Sequence, residues 1–308
     1  MAEKFVYVNN LYYFCSRFCN EPNTMKRIFP LICALCYAMT ISAVDASIQI
    51  FYDFGSLNTA CANQRTNRVT TTVEFFHPDA WGSTFFFFDM DYSINKSSDN
   101  PQDPKNAPFG TYWEITRSCN FWQQTKAKDL SIHLEYDGGL GIYGGKVVQG
   151  GYGINHAVLV GPEYFLHTAD YKNTFTLQLM FKYIADDYNM WRVKKNGKWT
   201  NQKGNVVPLQ FTFVWACRDF CTAPGLTFSG FIDLWGQKQS VYDRKTDTYT
   251  DPTKQSFVFL SEPQLWYSIG QWFKCPNLCI GTEIEFSYNF TGKGFMCNPC
   301  VGLKWNFL

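Results

Sequence analysis

Ser83-Thr84-Phe85-Phe86-Phe87-Phe88-Asp89-Met90-Asp91-Tyr92 is the stretch on which the fold turns. With a period of two, Thr84, Phe86, Phe88, Met90 and Tyr92 fall on one face and Ser83, Phe85, Phe87, Asp89 and Asp91 on the other. The first face is apolar almost throughout, and the second turns acidic. Such a strand suits a sheet with an apolar medium on one side and polar groups on the other.

Outward from this segment the pattern recurs at 47–54, 68–76, 110–119, 129–137, 154–161, 173–184, 208–218, 226–235, 255–267, 277–289 and 296–307. With the first, these make twelve strands. The breaks alternate. Those near 77–82, 120–128, 162–172, 219–225 and 268–276 are short to medium; those near 55–67, 93–109, 138–153, 185–207 and 236–254 are longer and richer in Asn, Asp, Lys and Gly. Alternating short turns and long loops are the signature of an all-β, antiparallel up-and-down transmembrane β-barrel. Lipid offers no hydrogen-bond partner, so a spanning sheet must close on itself, apolar outside and free to be polar within. At the C-terminus Val301, Leu303, Trp305 and Phe307 alternate with Gly302, Lys304 and Asn306, a final amphipathic strand of the kind that barrel-assembly machinery reads, although Leu308 follows the aromatic. A secreted β-sandwich also alternates, but the apolar outer faces and the even strand count disfavour it.

Composition agrees. Of 308 residues 46% are hydrophobic and 19% aromatic, yet mean hydropathy is mildly negative, so the apolar content lies in rings interleaved with polar residues. That excludes a helical membrane bundle and a disordered chain. A net charge of +1 advertises no nucleic-acid partner. The one long apolar run, Ile28 to Val44, follows Lys26-Arg27 and ends in small residues, which reads as a secretory signal cleaved near Ala43 or Ala46. Cys33 and Cys36 lack the small preceding residue of a lipidation site. Met25 stands where such a signal should begin. The expected organisation is therefore 1–24 as an upstream extension from a misplaced start, 25–46 as signal peptide, and 47–308 as one barrel in the outer membrane of a Gram-negative cell.

If the more apolar face of each strand meets lipid, the inward acids are Asp53, Glu74, Asp89, Asp91, Glu114, Glu135, Asp137, Asp233, Glu262, Glu283 and Glu285, against the bases Lys182, Arg218 and Lys304. Balancing bases sit in outer loops: Arg192, Lys194, Lys195, Lys198 and Lys203 in one, Lys238, Arg244, Lys245 and Lys254 in another. An acidic lining disfavours anions and favours neutral, hydroxyl-bearing or cationic solutes. Phe51, Phe76, Phe85, Phe87, Phe231, Trp235 and Trp266 share the inward face. Rings beside carboxylates suit a flat base carrying a polar sugar, because stacking tolerates base identity while carboxylates accept from hydroxyl and amino groups. Filling of a narrow barrel is the plainer role for any one ring.

The run Thr70-Thr71-Thr72-Val73-Glu74-Phe75-Phe76-His77-Pro78-Asp79-Ala80-Trp81-Gly82, continuing into Phe85–Asp91, resembles a family of uncharacterised outer-membrane proteins of Bacteroidetes. It is more distantly similar to the nucleoside-specific channel-forming proteins, the Tsx-like twelve-stranded barrels. Tyr112-Trp113-Glu114-Ile115, Leu134-Glu135-Tyr136-Asp137-Gly138-Gly139, Phe228-Ser229-Gly230-Phe231-Ile232-Asp233-Leu234-Trp235-Gly236 and Lys304-Trp305-Asn306-Phe307 extend the resemblance over most of 47–308. It implies a narrow, passive, substrate-selective pore, with Glu74, Asp89, Glu114 and Asp233 as lining positions.

Other motifs carry less. Cys217/Cys221, Cys275/Cys279 and Cys297/Cys300 hint at metal spacing, but Cys297 and Cys300, three apart on a strand, point to opposite faces, and no His cluster accompanies any pair. Disulfides among Cys119, Cys217, Cys221, Cys275 and Cys279 at the periplasmic rim, or unpaired thiols, both fit an envelope location. Ser131, His133, Glu135 and Asp137 share a face that could orient a base, as in a lipid hydrolase, yet that face is inward, away from lipid. The glycines of 138–153 read as an outer loop. Trp113, Trp266, Trp272 and Trp305, near strand ends, read as an interfacial girdle. The expectation is a non-enzymatic channel for small polar solutes, nucleoside-like ones first, needing no metal or cofactor, with lipid and lipopolysaccharide around it and Glu74, Phe85, Phe87, Asp89, Asp91, Glu114, Glu135 and Asp233 along its lumen. A non-conducting barrel that works through its loops is the alternative.

Overall fold

The computed structural model describes residues 45–55, 67–94, 108–144, 149–184, 192–195, 198–201, 209–238, 242–243, 248–249, 255–273, 275–290 and 293–307. The leader from Met25 through Val44, Cys61, Gly145, Lys203, Arg244, Lys245, Lys254 and Leu308 lie outside the described residues.

In chain order the strands are β1 (Asp45–Asp53), β2 (Arg68–Asp79), β3 (Gly82–Ser93), β4 (Pro108–Cys119), β5 (Leu130–Gly144), β6 (Gln149–His167), β7 (Asn173–Ile184), β8 (Arg192–Lys195), β9 (Lys198–Asn201), β10 (Leu209–Arg218), β11 (Leu226–Lys238), β12 (Tyr242–Asp243), β13 (Thr248–Tyr249), β14 (Gln255–Ser261), β15 (Gln264–Ser268), β16 (Leu278–Tyr288) and β17 (Phe295–Asn306). Every barrel strand pairs antiparallel with its neighbours, and β1 pairs β17, so the sheet closes. β14 and β15 hold a single place between β11 and β16, interrupted only at Glu262-Pro263. Proline lacks the N–H a ladder needs, and the register on both sides runs straight through the gap. The pairs β8–β9 and β12–β13 form small hairpins of their own. What remains is a closed barrel of twelve antiparallel strands.

The side-chain alternation sorts as the pleat requires. Ile50, Val73, Ile115, Leu134, Val158, Leu179, Phe181, Phe211, Val301 and Leu303 are exposed on the outside, while Gln49, Thr72, Thr116, Glu135, Gln178, Gln210, Ser287 and Asn298 between them are buried within. Outer rings pair across strands: Phe75 stacks on Phe86 at 5.3 Å, and Phe88 on Trp113 at 6.4 Å. Such cross-strand pairs add a few tenths to about 1 kcal/mol each. At the short-turn end Trp81, Phe121, Tyr171, Trp272 and Phe273 stand exposed, where amphipathic rings meet a membrane–water boundary. Among the described residues no helix is long and apolar enough to cross a membrane.

Three expectations change, and one open alternative narrows. The glycine stretch is mostly strand, not loop: β5 runs to Gly144 and β6 begins at Gln149. A ladder needs only backbone, and Gly139 to Gly144 pair with Gln149 to Ile154 past an irregularity at Asp137. β6 also continues through Pro162 to His167, because the proline sits where the β6–β7 ladder skips Gly161 and Pro162 and then resumes in register. A side chain at Gly161 would meet Leu179 O at 2.1 Å, so only glycine lets the strands approach there. Trp113 lies in mid-strand, and Trp266 is buried inside against Gly281, not in the girdle. All seven described mature cysteines are free thiols, which removes a disulfide among Cys119, Cys217, Cys221, Cys275 and Cys279.

Candidate functional site

The barrel interior is the candidate site, and it has two kinds of wall. Along β1–β4 the polar groups form a ladder in which Arg68 and Asp91 keep contact with water while Asp53 is buried. Arg68 lies 3.1 Å from Asp53 and 2.8 Å from Asp91, whose other oxygen accepts from Thr70 at 2.6 Å. Thr72 donates to Asp89 at 2.5 Å, and Glu74 holds Lys304 at 3.2 Å and Ser47 at 3.2 Å. Arg68 and Asp91 each retain 21% of their side-chain surface. On the same faces Phe85, Phe87 and Tyr112 line up, with centroids 6.1 and 5.8 Å apart. Register makes this arrangement: Phe87 pairs Glu114 and Glu74, and Asp89 pairs Tyr112 and Thr72, so rings and carboxylates interleave.

Along β5–β7 and β10 the wall is dry. His133, 3% exposed, places Nε2 3.0 Å from Glu135 and Nδ1 2.9 Å from Glu163. Both ring nitrogens face carboxylate oxygens, so each donates, an arrangement that the doubly protonated ring satisfies. Gln178 and Ser118 also donate to Glu163, at 2.8 and 3.0 Å. A second group follows: Lys182 sits 3.4 Å from Asp137, donates to Gln210 at 2.8 Å and lies 4.6 Å over the Trp235 ring. Gln210 then donates to Thr212 at 3.1 Å, and Thr212 to Asp233. A parallel unit closes the far side. Lys304 lies 5.4 Å over Trp266, and each of these two tryptophans donates its indole N–H to a glutamine two residues away, Gln237 or Gln264.

All eight expected lining residues lie on inward positions, but not together. Glu74, Phe85, Phe87, Asp89 and Asp91 belong to the watered wall, Glu135 to the dry one, and Glu114 and Asp233, both half-buried, stand at its margin. The expected inward base Arg218 is instead at the rim, largely exposed and 3.6 Å from Asp45. Arg68 and Glu163 were missed. Arg68 shares parity with Glu74 and could have been found by extending the alternation by one step; Glu163 was hidden behind Pro162, read as a break. Ser131 does not reach His133, since the hydroxyl beside that ring is Ser118, and a histidine donating from both nitrogens has no lone pair with which to take a proton. Outside the spanning strands, the Lys172 ammonium 2.6 Å away, with the Gly225 N–H, holds the Asp219 carboxyl below its ordinary range.

A closed antiparallel barrel, apolar outside, polar inside and ringed by aromatics at one end, defines an outer-membrane-type β-barrel protein. Within that class the chain belongs to the family described as a domain of unknown function, DUF5020, whose model matches residues 45–307. No curated protein matches it. Solved structures similar to it include outer-membrane phospholipase A from Escherichia coli, at 11% identity over 86% of this chain and 97% of that one, with a TM-score of 0.39. The beta domain of the Bordetella autotransporter BrkA matches at 8% over 86% and 100%, TM-score 0.38. A BenF-like porin from Pseudomonas fluorescens matches at 9% over 85% and 97%, TM-score 0.37.

Proposed function

We propose that this protein is a passive outer-membrane channel for small polar solutes, with nucleosides the leading candidate. One observation carries the reading: Phe85, Phe87 and Tyr112 form a run of inward rings interleaved with Asp89 and Asp91 on the wall that keeps its water, and with Glu114 at its edge. Ring faces take a flat base whatever its identity, and carboxylates take ribose hydroxyls and amino groups. Threonine hydroxyls and Arg68 occupy part of the Asp89 and Asp91 carboxylates, which keeps binding weak enough for release. The resemblance to nucleoside-specific channel proteins supports the same solute class and the lining roles of Glu74, Asp89, Glu114 and Asp233. Secretion by the 25–46 signal, assembly by the barrel-assembly machinery and residence among lipopolysaccharide follow from the reading. Cleavage after Ala43 would leave β1 whole, whereas cleavage after Ala46 would remove its first two residues.

A second reading, a non-conducting barrel that acts through its loops, draws on the packing of the interior, where Gln49, Leu159, Met180, Val258, Ser287 and Asn298 have no accessible surface. Planar-bilayer conductance of the refolded chain separates the two. Conductance blocked by adenosine or thymidine but not by sugars supports the nucleoside channel, and insertion without conductance supports the plugged barrel. A lipid hydrolase is set aside on the Ser131 geometry; any hydrolysis that Ser131→Ala abolished would reinstate it.

A further inference from the structure

We infer that the margin of the dry wall holds a site for a hard divalent cation of the calcium class, formed by Glu114, Glu135 and Asp137. One carboxylate oxygen from each lies within 4.8 Å of the others. Strand geometry brings them together: Glu114 of β4 pairs directly with Asp137 of β5, and Glu135, two residues earlier, shares the same face. A second observation points to a ligand. Asp137 is 3% exposed, and its Oδ1 receives no N–H or hydroxyl donor; Lys182 stands 3.4 Å from its other oxygen, long for a charge-assisted bond, and its remaining close neighbour is a second carboxylate, Glu135. A buried carboxylate oxygen without a donor is costly to keep.

The charge balance points the same way. Glu114, Glu135, Asp137, Glu163 and Asp233 gather around Lys182 and His133, five acids against two cations. An all-oxygen donor set selects a hard ion, not zinc. Calcium takes about six to eight oxygens in flexible geometry, whereas magnesium demands a near-ideal octahedron and keeps most of its waters, so carboxylates held on two rigid strands suit calcium better. His133 fixes Glu135 from behind, as an outer partner orients a ligand. Glu114 is half-buried and Asp137 buried, so the ion would enter from the lumen side. The site stands on barrel geometry alone and does not depend on whether the barrel conducts.

Terbium, a calcium surrogate whose emission is excited through nearby phenol and indole rings, tests it, because Tyr112 lies two residues from Glu114 on the same face. TbCl3 titrated into the refolded chain in detergent should give saturable sensitised emission at one ion per chain, displaced by CaCl2. Glu114→Gln should weaken the affinity at least about tenfold, and Asp89→Asn should leave it unchanged. Folding of each variant is checked by heat-modifiable gel migration. No emission from folded protein, emission undiminished in Glu114→Gln, or equal loss in Asp89→Asn would overturn the site, the last by showing diffuse binding to an acidic lumen. If Glu114→Gln does not fold, the wild-type melting temperature decides: a rise with CaCl2 and not with MgCl2 supports the site, and no rise means that protons alone neutralise the cluster and overturns it.

Discussion

The Asp53–Arg68–Asp91 ladder and the Glu135–His133–Glu163 cluster are both alternating acid–base networks on inward faces of one barrel, and both bond at about the same distances. They differ in water: Arg68 and Asp91 keep a fifth of their side-chain surface, although Asp53 beside them is buried, and every member of the His133 group keeps less than a tenth. The same contact is therefore worth different amounts in the two places. Where water competes, an ion pair contributes little to stability. Where it does not, removing one partner strands the other, and the loss is several kcal/mol although the intact pair stabilises little over an apolar filling.

The sharpest way to break the comparison is His133→Ala. It leaves Glu135 and Glu163 facing each other without a cation, and the barrel should lose about 3–5 kcal/mol in urea unfolding from lipid vesicles; a loss under about 1 kcal/mol would mean that the wall is wetter than its burial indicates. Asp91→Asn, a near-isosteric change on the watered wall, should cost under about 1 kcal/mol in the same measurement. The paired change Asp89→Asn with Asp91→Asn should lower cation preference in bilayer recordings, and unaltered selectivity would place the conducting path elsewhere. Phe87→Ala should weaken nucleoside block more than it changes single-channel conductance. The smallest effect belongs to the turns: Lys172→Met removes a fully exposed pair and should leave the melting temperature unchanged at neutral pH. Because Asp219 is held below its usual range, whatever this pair contributes is present above the ordinary carboxylate range and lost as pH falls through the lowered value.

The barrel was legible because its signal is binary. Residues 83–92 alternate so strictly that one-step errors would turn every side chain over, and the same parity placed Asp53, Glu135, Asp233 and Glu285 inside. Strand ends were less legible, since glycine and proline mark breaks by local preference, whereas Gly139–Gly144 and Pro162 are held in strands by neighbours far along the chain. Which inward residues would be dry was not legible at all. Burial depends on how far side chains from several strands fill the space between them, and no periodicity records that. For this reason the Glu114–Glu135–Asp137 cluster, visible in the letters as three acids among many, became a site only in three dimensions.

The seam where β1 meets β17 sets Ser47 against Asn306 and Asp53 against Cys300, joining the first and last strands of the domain. That pairing is the most distant in sequence among the described barrel strands, so its loop-closure entropy is the largest of their pairings, and no earlier hairpin can substitute for it. Until the seam shuts, two strands present unpaired backbone groups that a hydrocarbon environment cannot satisfy. Assembly of this protein should thus be all-or-none in time as well as in space: a ribosome must finish the C-terminal strand before any of the eleven others can rest stably in lipid, and truncation of that strand should halt insertion, not merely slow it.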